Sequence, residues 1–320
     1  MEHYTSAFKV ETMKNLFSLT VLSAAICLGC STTAPAPTDS AEPLDLPVEL
    51  VAERPAAVFY PSDYDPDKSY PLVVALHGYG ANGAANDLIF GLEERIDREQ
   101  FILVQPDGTR DQNGRLFWNA TPECCMFDDL EPKIDDVGYI TQLIDEAQKS
   151  FNITPGHVAL VGHSNGGYMS YRYACEKPEK IDRIAVLAGS VYLDDADCPS
   201  TSATTLLHIH GTADDIIRYD QYPPAGTSVE EDDTDNVHTV GAEESVRRWR
   251  VRDKCKDTPV VRDTLDAVEY LDGEETEVTV WNNCDEGRSV TFWKVVEGDH
   301  LFLNVTEAFQ DGLVEFLVRP

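Results

Sequence analysis

From about residue 56 to the end of the chain, short runs of apolar residues alternate with longer stretches in which apolar side chains recur every three or four positions. The runs are "AAVFYP", "PLVVALHG", "FILVQPDG", "HVALVGHS", "RIAVLAGS", "TTLLHIHG" and "VTFWKVVEG", and several are apolar at successive rather than alternate positions. A strand covered on both faces has this pattern, because side chains pointing either way meet a hydrophobic layer. Between the runs, "DDVGYITQLIDEAQKSF", "NGGYMSYRYACEK", "AEESVRRWRVRDKC" and "VTEAFQDGLVEFLV" have helical spacing. Strands alternating with helices predict βαβ units, hence an α/β fold with a doubly wound, mostly parallel sheet in a single domain over residues 46–320. No internal repeat interrupts the pattern.

The first 45 residues follow a different rule. From Met13, a lysine precedes an apolar run and then Leu28-Gly29-Cys30, the layout of an export signal and too short for a spanning helix. Residues 1–30 are therefore expected to be a signal segment of lipoprotein type, with Cys30 as the lipidated residue and the only membrane attachment; a plain signal peptide is the alternative. Residues 31–45, rich in Pro, Ala, Ser and Thr, read as a tether that cannot bury enough surface to fold. The expected location is outside the cytoplasm, at the cell envelope or beyond it.

Charge narrows the partners. The chain carries 57 acidic and 25 basic residues, a formal net charge of -32, which repels phosphate backbones and excludes nucleic acid as a partner. Hydrated carboxylates at this density favour solubility, in a saline medium or a dilute one alike. The segment "SVEEDDTDNVH" at 228–238 lacks the ordered ligand spacing and the glycine of a calcium loop, and reads as solvated. Cys124, Cys125, Cys175, Cys198, Cys255 and Cys284 remain after export, an even number that suggests disulfides with 15 possible connectivities. No Cys-x-x-Cys pair points to zinc.

Against this frame "VALVGHSNGGYMSYRYACE" holds the first chemistry: Gly162-His163-Ser164-Asn165-Gly166 joins an expected buried strand directly to an expected helix. In such a turn the serine hydroxyl is lifted above the sheet and exposed for attack. A serine needs a base, and histidine has the suitable pKa. Of the eight histidines, His300 is best placed, in the loop between the last strand and the final helix. An acid must fix that imidazole; Asp214, with its neighbour Asp215 as alternative, follows "LLHIHG", read as the penultimate strand. His208 and His210 share a strand face, but no third metal ligand follows, and they read as structural. Charge developing on the substrate oxygen requires donors: the backbone N–H of Asn165 and, from the loop after "LVVALHG", that of Tyr79. The chain order Ser, Asp, His is that of an α/β-hydrolase fold.

In their order along residues 45–320, "LHGYGAN", "FWNATPECC", "DDVGYI", "VGHSNGGYMSYRYACEKPEKI", "HGTADD" and "EGDH" resemble the exported esterases that include poly(3-hydroxybutyrate) depolymerase-like proteins and feruloyl and acetylxylan esterases. The resemblance implies Ser164 as nucleophile, Asp214 as acid and His300 as base, and a disulfide between Cys255 and Cys284. It implies hydrolysis of a carboxylic ester without a cofactor, on a feruloyl or acetyl ester of polysaccharide or a hydroxyalkanoate oligomer. A serine peptidase on the same fold is the alternative within hydrolases. A non-catalytic surface binding protein would need a broken triad, and all three members are present.

Overall fold

The computed structural model describes residues 46–51, 53–126, 133–199, 202–222 and 238–319. The expected signal segment with Cys30, the tether, and residues 228–237 of the acidic loop lie outside these. All that follows concerns the unit from Asp45 onward.

Successive apolar residues in the runs above separate by period two into two cores. In "YPLVVAL", Leu72, Val74 and Leu76 enter one buried cluster, while Val73 and Ala75 enter the other. The strands are β1 (Glu49–Leu50), β2 (Ala56–Phe59), β3 (Tyr70–Leu76), β4 (Ile102–Gln105), β5 (Thr109–Arg110), β6 (Leu116–Phe117), β7 (Ile153–His163), β8 (Arg183–Leu187), β9 (Thr205–Gly211), β10 (Val261–Leu265), β11 (Thr276–Trp281) and β12 (Val290–Val295). The helices are α1 (Gly83–Phe90), α2 (Ile96–Glu99), α3 (Asp136–Ser150), α4 (Asn165–Glu176), α5 (Ala242–Arg252) and α6 (Glu307–Val318). Among the described residues one ten-stranded sheet runs β1-β2-β4-β3-β7-β8-β9-β12-β11-β10, and β5 and β6 form a separate hairpin. The six central strands pair in parallel, and the outer pairs are antiparallel.

The two faces are covered as a doubly wound sheet requires. Tyr139, Ile140, Leu143 and Ile144 of α3, Tyr168 and Tyr171 of α4 and Trp249 of α5 fill one core. Phe90 of α1 and Phe309, Leu313, Val314 and Leu317 of α6 fill the other. Local signals set the helix starts: Asp135 accepts from the Gly138 amide (2.8 Å), and Thr306 accepts from the Phe309 amide (3.1 Å), as N-caps do. No helix among the described residues is long and apolar enough to cross a membrane.

One sequence expectation is corrected. β9 is not the penultimate strand, because β10 and β11 lie between it and β12 in the chain. "VRDTL" and "TEVTVW" are polar enough to be missed, and they can be polar because they extend the sheet at an edge, β10 being mostly exposed. The short α1 and the β5–β6 hairpin also carry too little pattern to be read in advance. The six cysteines from Cys124 onward pair as Cys124–Cys125, Cys175–Cys198 and Cys255–Cys284, the last as the family resemblance implies.

Candidate active site

β7 ends at His163 and α4 begins at Asn165, so a single residue, Ser164, makes the whole turn. It does so at φ 54° and ψ -119°, a conformation that strains a residue with a Cβ. Two glycines make the turn possible. A Cβ on Gly162 would lie 2.1 Å from the Gly166 carbonyl oxygen, and one on Gly166 would lie 2.1 Å from that of Leu76. The elbow is then tied to the sheet by the Ser164 amide, which donates to Leu187 of β8 (2.8 Å).

His300 and Asp214 come to this serine from the loops that follow β12 and β9, at the same carboxyl ends of the parallel strands. His300 Nε2 is 3.0 Å from Ser164 Oγ, and His300 Nδ1 is 2.8 Å from Asp214 Oδ2. All three are buried, and it is Asp214 that meets His300, whereas its neighbour Asp215 is exposed. Burial by itself would raise the Asp214 carboxyl, but hydrogen bonds from His210 and His300 outweigh it and hold the group well below the usual carboxylate range. Its other oxygen accepts from the amides of Ile216 (3.0 Å) and Ile217 (2.9 Å). An ionised carboxylate facing Nδ1 leaves Nε2 able to take the serine proton.

His163, the residue just before Ser164, meets His300 from the other side. Its Nε2 is 2.9 Å from the His300 carbonyl, and the two rings lie 5.0 Å apart. Burial, reinforced by neighbouring His300, lowers the His163 pKa to about 4, so it donates to that carbonyl as a neutral ring.

The donor side is built from β3 and α4. Asn165 is the first residue of α4, so its N–H has no partner in the preceding turn of helix. Its side chain locks against the residue after β6: Oδ1 accepts from the Trp118 amide (2.7 Å), and Nδ2 donates to the Trp118 carbonyl (2.9 Å). Trp118 Nε1 donates in turn to the His77 carbonyl (3.0 Å). His77 Nε2 accepts from the Gly108 amide (2.8 Å), which leaves Nδ1 to donate to the Gly78 carbonyl (2.8 Å). Gly78 borders Ser164, since a Cβ on it would be 3.4 Å from the Ser164 Cβ, and Tyr79 follows on this held loop. Tyr79 donates its hydroxyl to the Asp111 carboxylate. The roles of His77 and Trp118 were not read from the sequence, although "HG" and "FWN" were noted. Among the described residues no three His, Cys, Asp or Glu side chains cluster as metal ligands.

A parallel-sheet α/β core with a strained serine elbow, a buried histidine and a buried aspartate at the carboxyl ends of its strands defines an α/β-hydrolase. Residues 49–273 match the family described as "Putative esterase", and the chain belongs to it. That match takes in Ser164 and Asp214. The chain is 30% identical over 151 residues to "Putative esterase NocK" of Nocardia uniformis subsp. tsuyamanensis, covering 47% of this chain and 42% of that protein. It is 25% identical over 223 residues to "Probable feruloyl esterase C" of Aspergillus niger, covering 68% and 72%. It is 27% identical over 173 residues to "Bifunctional acetylxylan esterase/xylanase XynS20E" of Neocallimastix patriciarum, of which it spans 23% against 54% of itself. Among solved structures, the acetyl xylan esterase of Aspergillus awamori superposes with a TM-score of 0.55 at 12% identity over 82% of this chain and 93% of that one, a likeness of fold.

Proposed function

We propose that the chain is an exported serine esterase that hydrolyses carboxylic esters through Ser164, His300 and Asp214. The observation that carries this reading is the continuous line of contacts from Ser164 Oγ to His300 (3.0 Å) and from His300 to Asp214 (2.8 Å), at the head of a strained strand-to-helix turn. Ser164 Oγ attacks the ester carbonyl carbon while His300 Nε2 accepts its proton. Asp214 stabilises the imidazolium, and the backbone N–H groups of Asn165 and Tyr79 face the oxyanion. Collapse releases the alcohol, protonated by His300, and leaves an acyl-serine. A water molecule then repeats the sequence on that acyl group and frees the acid.

The proposed substrates are feruloyl or acetyl esters of polysaccharide, the chemistry named for relatives in two fungal genera. Ile216, Leu301 and Leu303, each within three residues of Asp214 or His300, are about half exposed and supply an apolar rim suited to an aromatic acyl group. Export follows from the signal-like leader and agrees with three disulfides in one domain. Ser164→Ala should abolish hydrolysis while leaving the far-UV spectrum unchanged, and a serine-directed phosphonate should add mass to the wild type only. The panel should contain methyl ferulate, acetylated xylan, p-nitrophenyl acetate, a hydroxybutyrate oligomer and a peptide. Turnover of the peptide alone would reject an esterase, and preference for the oligomer would move the substrate to hydroxyalkanoates.

A further inference from the structure

We infer that His210, backed by His208 and Tyr171, is a positioning residue for the triad: it anchors the turn that carries Asp214 and thereby aims the carboxylate at His300. The inference rests on the triad assignment above. His208 and His210 stand two apart on β9 and are fully buried on the same face, with rings 5.4 Å apart and nearly parallel.

The hydrogen bonds among these groups have one consistent direction. The Ile217 carbonyl lies 2.7 Å from His210 Nε2, and a carbonyl can only accept, so that nitrogen carries the proton. In a neutral ring His210 Nδ1 is then an acceptor, and His208 Nε2, 3.2 Å away, must donate to it. His208 Nδ1 is left as an acceptor for the Tyr171 hydroxyl at 2.8 Å. Each proton between Tyr171 and Ile217 is placed with both rings neutral. Burial pushes His208 well below the usual imidazole range, and aromatic rings enclose the line: Phe292 of β12 packs on His208 (5.8 Å), Tyr219 meets His210 edge-on (5.9 Å), and Trp249 of α5 lies against Tyr171 (5.1 Å). The titratable and charged groups nearby are Asp214 itself, His300 beyond it, His163, Glu243 on the Tyr219 hydroxyl, and Arg252 over the Trp249 ring.

The end of this line explains why it bears on the reaction. Ile217, whose carbonyl His210 grips, is the residue whose amide grips Asp214 Oδ1. His210 Nε2 also lies 3.4 Å from Oδ2, the oxygen that meets His300. At the far end, Tyr171 belongs to α4, the helix that begins directly after Ser164. The buried line therefore ties the nucleophile's helix to the acid's turn from beneath the site. A neutral pair does so without placing a second cation beside Asp214, so His300 remains the imidazolium that the carboxylate stabilises.

His210→Phe keeps a ring and removes the donor, and His210→Gln keeps a donor at similar reach. With p-nitrophenyl acetate, and with active sites counted by phosphonate titration, His210→Phe should lower kcat about 100-fold at unchanged KM, the scale of a catalytic group displaced by about 1 Å. His210→Gln should restore most of the lost turnover. Wild-type turnover per titrated site in His210→Phe, or no rescue by Gln, would overturn the inference. Should His210→Phe not fold, 15N NMR of the wild-type histidines decides instead. Nε2–H tautomers for His208 and His210 between pH 5 and 8 support the line, and the opposite tautomer or an imidazolium in either ring rejects it. Failure of the triad assignment would appear separately, as activity retained in Ser164→Ala.

Discussion

Asp214 and Asp215 are chemically identical neighbours, and only their surroundings differ. Asp214 is buried, takes two backbone amides on one oxygen and faces His300 with the other, whereas Asp215 is in solvent. Asp214→Asn should therefore lower kcat on p-nitrophenyl acetate by about 10³- to 10⁴-fold, because the amide leaves the imidazole in the wrong tautomer, while Asp215→Asn should change it less than about threefold. The reverse order would transfer the role. A second contrast concerns the rim. Leu301→Asp puts a charge on a half-exposed apolar position next to His300. It should raise KM for methyl ferulate several-fold more than KM for p-nitrophenyl acetate, since a small acyl group has little apolar surface to lose. Equal changes for both esters would remove the rim from substrate selection. Ser164, His300 and the Asp214–Asp215 pair were legible in the sequence because each follows an apolar strand in the required order. The support given by His77, His163, His208 and His210 was not, since it depends on which backbone carbonyl each ring meets, and contacts such as that of His163 with His300 span 137 positions of the chain.

At the scale of elements, what the sequence revealed depended on burial. β3, the second half of β7 and β8 are covered on both faces and announce themselves through the apolar runs "LVVAL", "VALV" and "IAVL". β10 and β11 form a sheet edge, where β10 is exposed at nearly every position, and "VRDTL" is close to a surface composition. This polar extension is joined to the rest by the Cys255–Cys284 bond, which links the residues after α5 to those after β11. Backbone bonds run alongside it, from the Asp285 amide to the Asp253 carbonyl (2.8 Å) and from the Lys256 amide to that of Asn283 (3.3 Å). The bond spans 29 positions, for which the chain-entropy account gives a stabilisation of about 3 to 4 kcal/mol. A Cys255→Ala, Cys284→Ala double variant should accordingly unfold at a Tm lower by several degrees while keeping its turnover at 25 °C, because β12, and not β11, leads into the His300 loop. Peptide mapping without reduction checks the premise, and an unchanged Tm would show that the backbone bonds hold the extension unaided.

Over the whole molecule, the net charge of -32 sets the background against which any single carboxyl acts. The folded state crowds these charges and the unfolded chain spreads them, so stability should fall as carboxyls ionise and recover as salt screens them. Asp253, fully buried at the end of α5, adds a term of different origin. Burial pushes its carboxyl up to about 7, against the opposing pull of the Thr204 backbone and of Arg252 and Arg288. The folded value thus exceeds that of an unfolded aspartate, so the folded state holds the proton more tightly. The associated stability is fully present below about pH 4, is lost as pH rises towards 7, and amounts to on the order of 4 kcal/mol. Asp253→Asn fixes the neutral form and should flatten the fall in Tm between pH 5 and 7.5. Sodium chloride at 1 M should reduce the general repulsion in both proteins yet leave a steeper pH slope in the wild type, because screening by mobile ions reaches surface pairs far more than a buried carboxyl. Equal slopes for the two proteins in high salt would remove Asp253 from the pH dependence and leave the surface charge as its cause.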